Sequence, residues 1–167
     1  MRPVILAFAL LFGCSVGPTM PLPASVELSD ELSPDQVEGT LAAVEAWNKA
    51  VPGIIVATQM RHTASKKERT IFVAPGTPTR AADGHAETTF CRSSVVLADH
   101  KAHLSFRIVA HEFGHAFGLN HTTDPTSVMS PTGARITDED AADGARALRN
   151  RAENHRACVN KEWLGLD

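Results

Sequence analysis

The chain has 167 residues, 43% of them hydrophobic and 21% charged, which suits one globular domain around a single core. The formal net charge is -3, and with no basic block and no acidic tail neither nucleic acid nor a basic partner is expected; a monomer is expected.

The first residues read as a targeting segment. Arg2 supplies a positive start and Val4 to Phe12 is apolar, too short for the roughly 20 residues of a membrane-spanning helix. Residues 1–13 are therefore expected to be a signal peptide, and the protein to be exported. Leu11-Phe12-Gly13-Cys14 resembles a bacterial lipobox, which makes Cys14 a lipidation candidate and would anchor the mature chain to a membrane. The competing reading is an ordinary signal peptide cut slightly later and a secreted, extracellular product. With Cys14 set aside, Cys91 and Cys158 are an even pair, either bridged in an oxidising compartment or two buried thiols.

Residues 14–32 are rich in Pro and Ser and read as a tether or N-terminal strap. Ser33, Pro34 and Gln36 form a helix-start signature, and Val37, Leu41, Val44, Trp47 and Val51 follow at helical spacing, with Asn48 a polar interruption, until Pro52-Gly53. Ile54–Thr58, Thr70–Ala74 and Ser94–Ala98 are short β-branched runs and read as strands, with another expected from Phe90 or the strap. Arg61 to Arg69 is a polar connection and Pro75 to Gly84 a loop. A second helix is expected from about Ala102 to Phe117, with Leu104, Ile108 and Val109 apolar. Thr137 and Asp140 open a last helix with a thin Ala141, Ala145, Leu148 stripe.

The chemistry concentrates in His111-Glu112-Phe113-Gly114-His115-Ala116-Phe117-Gly118-Leu119-Asn120-His121. Two histidines four apart on a helix share one face and can reach one ion. Gly118 can take positive φ, turn the chain sharply and let His121 swing back as third ligand. Such a three-ligand set leaves a position for water, as catalytic zinc requires. Glu112, beside a ligand, is read as the base that takes a proton from that water and passes it to the leaving amine.

This extended motif resembles the signature of the metzincin metalloproteases. Ser127-Val128-Met129-Ser130-Pro131 is similar to the family's methionine turn, with Met129 eight residues after His121 as in the matrixins, the matrix-metalloproteinase branch. Thr122, Asp124, Ala43-Val44-Glu45-Ala46-Trp47 and Gly144-Ala145-Arg146-Ala147-Leu148 also resemble matrixin segments. The resemblance implies a matrixin-like catalytic domain over residues 33–167, one catalytic Zn2+, Met129 as a packing platform beneath the ligands, and a protein or peptide substrate. Three departures are visible. No stretch between Cys14 and the first helix is long enough for a cysteine-switch propeptide. His85, His100 and His103 do not reproduce the loop that holds structural zinc or calcium in matrix metalloproteinases; they read as surface or satisfied histidines, and further structural Zn or Ca stays open. Gly133 stands where the family often has a pocket-lining Tyr, which predicts an open or reshaped pocket.

The expected fold is therefore α+β: a twisted, mostly parallel sheet on the first and metal-binding helices, the final helix below the cleft, and Ser94–Ala98 near an edge strand that substrate could join. The expected function is zinc-dependent hydrolysis of internal peptide bonds. The alternative is a catalytically inactive, zinc-stabilised surface lipoprotein acting as a binding module, which would have no use for Glu112.

Overall fold

The computed structural model describes residues 20–65, 67–78, 84–89, 91–98 and 105–150. In chain order the elements are β1 (Ala24–Ser29), α1 (Pro34–Ala50), β2 (Ile55–Arg61), β3 (Thr70–Gly76), β4 (Gly84–Thr89), β5 (Arg92–Ala98), α2 (Ser105–Ala116) and α3 (Asp138–Arg149). The sheet order is β2-β1-β3-β5-β4; β1 pairs in parallel with both β2 and β3, β3 pairs in parallel with β5, and only β4 runs antiparallel, on β5. The sheet is thus mostly parallel and the fold α+β, as expected, with β5 next to an edge strand. The strap contributes more than a tether: β1 lies inside the sheet, and Met20 and Leu22 before it are fully buried.

β1 carries a buried acid. Glu27 is 1% exposed, and its carboxylate accepts hydrogen bonds from Gln59 Nε2 at 2.9 Å and from the Ser65 amide at 2.8 Å, with Arg61 Nε 3.4 Å away. A buried charge needs such partners, and these hold β2 and the connection after it against β1.

Ser33 caps α1 through the complete capping box with Gln36. The buried face of the helix is rotated from the one its apolar spacing predicts. Gln36, Gly39, Thr40, Ala43 and Trp47 face inward, whereas Leu41 is 46% exposed. Small residues line the inward face because α1 crosses close to α2, and Trp47 fills the space between them. Its indole donates to the Ala110 carbonyl at 2.9 Å, and its ring meets Phe117 edge-on at 5.1 Å. Val37 and Val44 are partly buried against the core. Asn48 gives and takes a hydrogen bond with the Ile55 backbone, at 3.0 and 3.1 Å, pinning the end of α1 to the start of β2.

β3 and β5 extend the expected runs to Gly76 and Arg92, and β2 takes in Arg61. β4 begins at Gly84, where a loop is expected to end. α2 begins at Ser105 among the described residues; Ala102 and Leu104 lie outside them. Ile108 and Val109 face the core as predicted. α3 opens on the Thr137–Asp140 capping box, and its deepest residues are Asp140 and Gly144.

Candidate metal centre

His111 and His115 occupy successive turns of one face of α2, and the helix then stops by a Schellman motif. The Leu119 amide donates to Gly114 O at 2.9 Å, the Gly118 amide donates to His115 O at 2.9 Å, and Gly118 has φ +92°. A side chain at position 118 would be strained in that left-handed conformation. The turn has two results. It sends the chain back so that His121 reaches the other two histidines, and it aims the Leu119 carbonyl at His115 Nδ1, 2.9 Å away. His111 Nδ1 meets the Val128 carbonyl at 2.7 Å.

Each of these Nδ1 atoms must carry its proton to donate to a carbonyl, which leaves Nε2 of His111 and His115 as a bare lone pair. All three Nε2 atoms converge, with every pair 3.1 Å apart. At least the His111 and His115 lone pairs face each other, and one His121 N–H could satisfy only one of them. A cation at the common focus resolves the conflict. Ligand nitrogens at about 2.0–2.1 Å from a tetrahedral zinc lie roughly 3.3 Å apart, close to the observed spacing. The donor set therefore fits zinc. Burial pushes the His111, His115 and His121 imidazoles down, His115 to about 4 with help from the His111 charge. All three are thus neutral, the ligand form, at ordinary pH.

Glu112, next to His111 on α2, packs beside β4. It is 8% exposed, and burial raises its carboxyl to about 7, opposed by a hydrogen bond from the Ala86 amide of β4. Gly84 makes the approach possible: a β-carbon there would collide with Ile108 of α2 and stand 3.6 Å from Glu112 Cγ.

Met129 lies under α2. A β-carbon at Gly114 would overlap its sulfur, so the glycine inside the histidine motif is the seat for the methionine. The turn that carries Met129 is anchored by a buried network. Ser127 Oγ donates to Asp140 at 2.8 and 2.9 Å and accepts the Met129 amide at 2.9 Å. Asp140 also accepts from the Thr137 amide and hydroxyl, at 2.9 and 2.8 Å. One carboxylate thus caps α3 and fixes the turn whose Val128 carbonyl holds His111. The cap is visible in the sequence; the reach back to Ser127 has no local signal. Thr122 joins the same turn through its amide to Met129 O at 3.2 Å. The Asp124 carboxylate closes the loop between them on Thr126, with both bonds at 2.8 Å.

Gly133 is buried, and a β-carbon there would overlap the Ser127 carbonyl, so the glycine serves a backbone contact that closes the turn. Its amide donates to Ser130 Oγ at 2.9 Å, and the Ser127–Arg135 bridge seals the loop. Arg107, one turn before His111, reaches this loop at the Pro131 carbonyl, 2.8 Å away.

The fold thus brings together His111, Glu112, His115, His121, Gly118 and Met129. His85 is half-buried on β4. Cys91 is disulfide-bonded; Cys14 and Cys158, the other half of the expected pairing, and His100 and His103 lie outside the described residues.

Comparison with known proteins agrees with this geometry. The family model described as Matrixin matches residues 25–144. Matrix metalloproteinase-20 of Homo sapiens is 63% identical over 27 residues, 16% of this chain and 6% of that protein. Interstitial collagenase of Sus scrofa is 40% identical over 53 residues, 29% of this chain and 11% of that protein. The matched regions are small fractions of both relatives. The crystal structure of archaemetzincin from Methanopyrus kandleri superposes with a TM-score of 0.55 at 16% identity, covering 80% of this chain and 97% of that one, which is a likeness of fold.

Proposed function

The chain belongs to the matrixin family of metzincin-type zinc metallopeptidases, and on that footing we propose that it is an endopeptidase in which Glu112 is the general base and His111, His115 and His121 hold one zinc ion. The observation that carries the reading is the triangle of Nε2 atoms, 3.1 Å on each side, with a buried carboxylate on the adjoining helix position.

Zinc in that site supplies Lewis acidity, lowering the pKa of a water to about 7 and polarising a carbonyl. The residues of the chain do the rest. The carbonyls of Val128 and Leu119 fix the tautomer and orientation of His111 and His115. Glu112 takes the proton of the attacking water and delivers it to the leaving amine. The Ala86 amide holds the carboxylate in place beside β4. Burial excludes bulk water from Glu112, and a base with a pKa near the working pH is suited to taking a proton and giving it back. Protein or peptide is the substrate in this reading.

The test separates ligand from base. Glu112→Gln should keep its zinc and lose about 10²–10⁴-fold in kcat, the usual worth of general base catalysis. His115→Ala should lose zinc as well as activity. Proteolysis of casein by Glu112→Gln at the wild-type rate would reject the assigned base. A zinc-loaded wild type that cleaves neither protein nor peptide would leave only a zinc-stabilised binding module. The proposal extends to export: the apolar start of the chain directs secretion, and Cys14 carries lipid and anchors the product. Cys14→Ser should then move the protein from the membrane fraction to the soluble one.

A further inference from the structure

β4 is the last strand of the sheet, and among the described residues no further strand pairs with its outer edge. That edge borders the metal centre, because the outward-facing amide of Ala86 is the one bound to Glu112. The side chains of β4 alternate between faces. Gly84 and Ala86 face α2 and the core. His85 and Glu87 therefore share the opposite face, His85 half-buried and Glu87 exposed. The strand is held rigidly where they sit: Ser93 Oγ of β5 donates to the Glu87 carbonyl at 3.2 Å, and Thr88 Oγ1 donates to Ser93 Oγ at 3.2 Å. Among the described residues neither the His85 imidazole nor the Glu87 carboxylate has a hydrogen-bond or ion-pair partner.

An extended chain added to the free edge must alternate in the same way. Its side chains on the α2 side meet the small residues Gly84 and Ala86. Those on the other side lie beside one imidazole and one carboxylate, two residues apart. We propose that His85 and Glu87 are specificity-determining residues, which favour a substrate with Asp or Glu beside His85 and Lys or Arg beside Glu87, separated by one residue. The inference rests on the peptidase reading. Opposite charges paired across neighbouring strands are favoured by up to about fivefold, and like charges are disfavoured.

The experiment scans a charged residue through each position flanking the cut in one neutral parent peptide, and measures kcat/KM for zinc-loaded wild type, Glu87→Lys and His85→Glu. Wild type should favour an acid at one position and a base two residues away, each by about two- to fivefold over the neutral residue. Glu87→Lys should reverse the second preference and leave the first; His85→Glu should reverse the first and leave the second. A flat wild-type profile overturns the proposal, and so does a Glu87→Lys variant whose charge profile matches wild type or that slows all peptides equally. If wild type cleaves none of the peptides, the peptidase reading fails separately. Fluorescence anisotropy with the same labelled peptides then decides the charge reading: a preference reversed by Glu87→Lys upholds it, and binding indifferent to that substitution overturns it.

Discussion

Ser127→Ala tests whether the network beneath the metal centre governs both stability and metal affinity. The substitution removes the hydroxyl that donates to Asp140 at 2.8 Å and accepts the Met129 amide at 2.9 Å. A hydrogen bond to a charged group contributes about 1.5–3 kcal/mol, and a buried amide left without a partner costs about 1–3 kcal/mol. Asp140 keeps its two bonds from Thr137, so the carboxylate is weakened rather than orphaned, and the net loss is about 3 kcal/mol. For a chain of this length that lowers Tm by roughly 6–12 °C. Zinc affinity should fall about 10–100-fold, the usual worth of an outer-shell partner, because the Val128 carbonyl that orients His111 lies between the two residues that lose their anchor. Differential scanning calorimetry with and without zinc, and competition against a chromophoric chelator, measure the two effects. Thr126→Ala, on the exposed side of the same loop, loses only the hydroxyl bond to Asp124 and should stay close to wild type. A Ser127→Ala protein that melts within about 2 °C of wild type and binds zinc equally well would refute the reasoning.

Gly114→Ala drives a methyl into the Met129 sulfur; overpacking costs about 1–3 kcal/mol against a helix-propensity gain of up to about 1 kcal/mol, so Tm and zinc affinity should drop, and Met129→Ala in the same chain should restore part of the loss in a chelator competition. Zinc at 100 times its Kd should stabilise the fold by about 2.7 kcal/mol, so chelation should lower Tm in calorimetry. The metal-free protein should show Glu112 in its pH dependence. Its folded pKa is raised from 4.5 to about 7, so its contribution is fully present below about pH 4.5 and is lost as pH rises through 7, by about 3 kcal/mol. Glu112→Gln should therefore gain stability relative to wild type between pH 5 and 8, read by chelated denaturant melts; a constant difference would contradict it. The histidines act in the other direction. His115, lowered to about 4, favours the fold above pH 6.5 and ceases to do so as pH falls through 4, and zinc should leave in the same acid range, by atomic absorption after dialysis.

What could be read from the sequence was what is written locally. The spacing of His111, His115, Gly118 and His121 encodes two helical turns and a left-handed exit, and both capping boxes are complete within four residues. The rest depends on partners distant in sequence. The apolar spacing of α1 predicts Leu41 inside, yet small residues at Thr40 and Ala43 let α2 approach and rotate the helix. β4 offers little apolar alternation in Gly84-His85-Ala86-Glu87, because its outer face is polar; it is a strand through pairing with β5. Gly133 resembles a missing pocket wall when read by position, and its backbone contact with Ser127 has no local signal. Asp140 shows only its cap in the sequence, since its second partner, Ser127, comes from across the loop.

Trp47 gives the molecule a built-in optical reporter. Its indole is fully buried, hydrogen-bonded to the helix that carries the histidines, edge-on to Phe117, and adjacent to Gly114 and Gly144. Its emission should be blue-shifted and should respond to any separation of α1 from α2, whatever the state of the sheet. The same residue couples the spectroscopic signal to the ligand helix, so stripping metal should perturb fluorescence before secondary structure is lost by circular dichroism. Subtracting the spectrum of Trp47→Phe, which leaves Trp163 as the remaining tryptophan, isolates that signal and turns metal exchange into a stopped-flow measurement that needs no added dye.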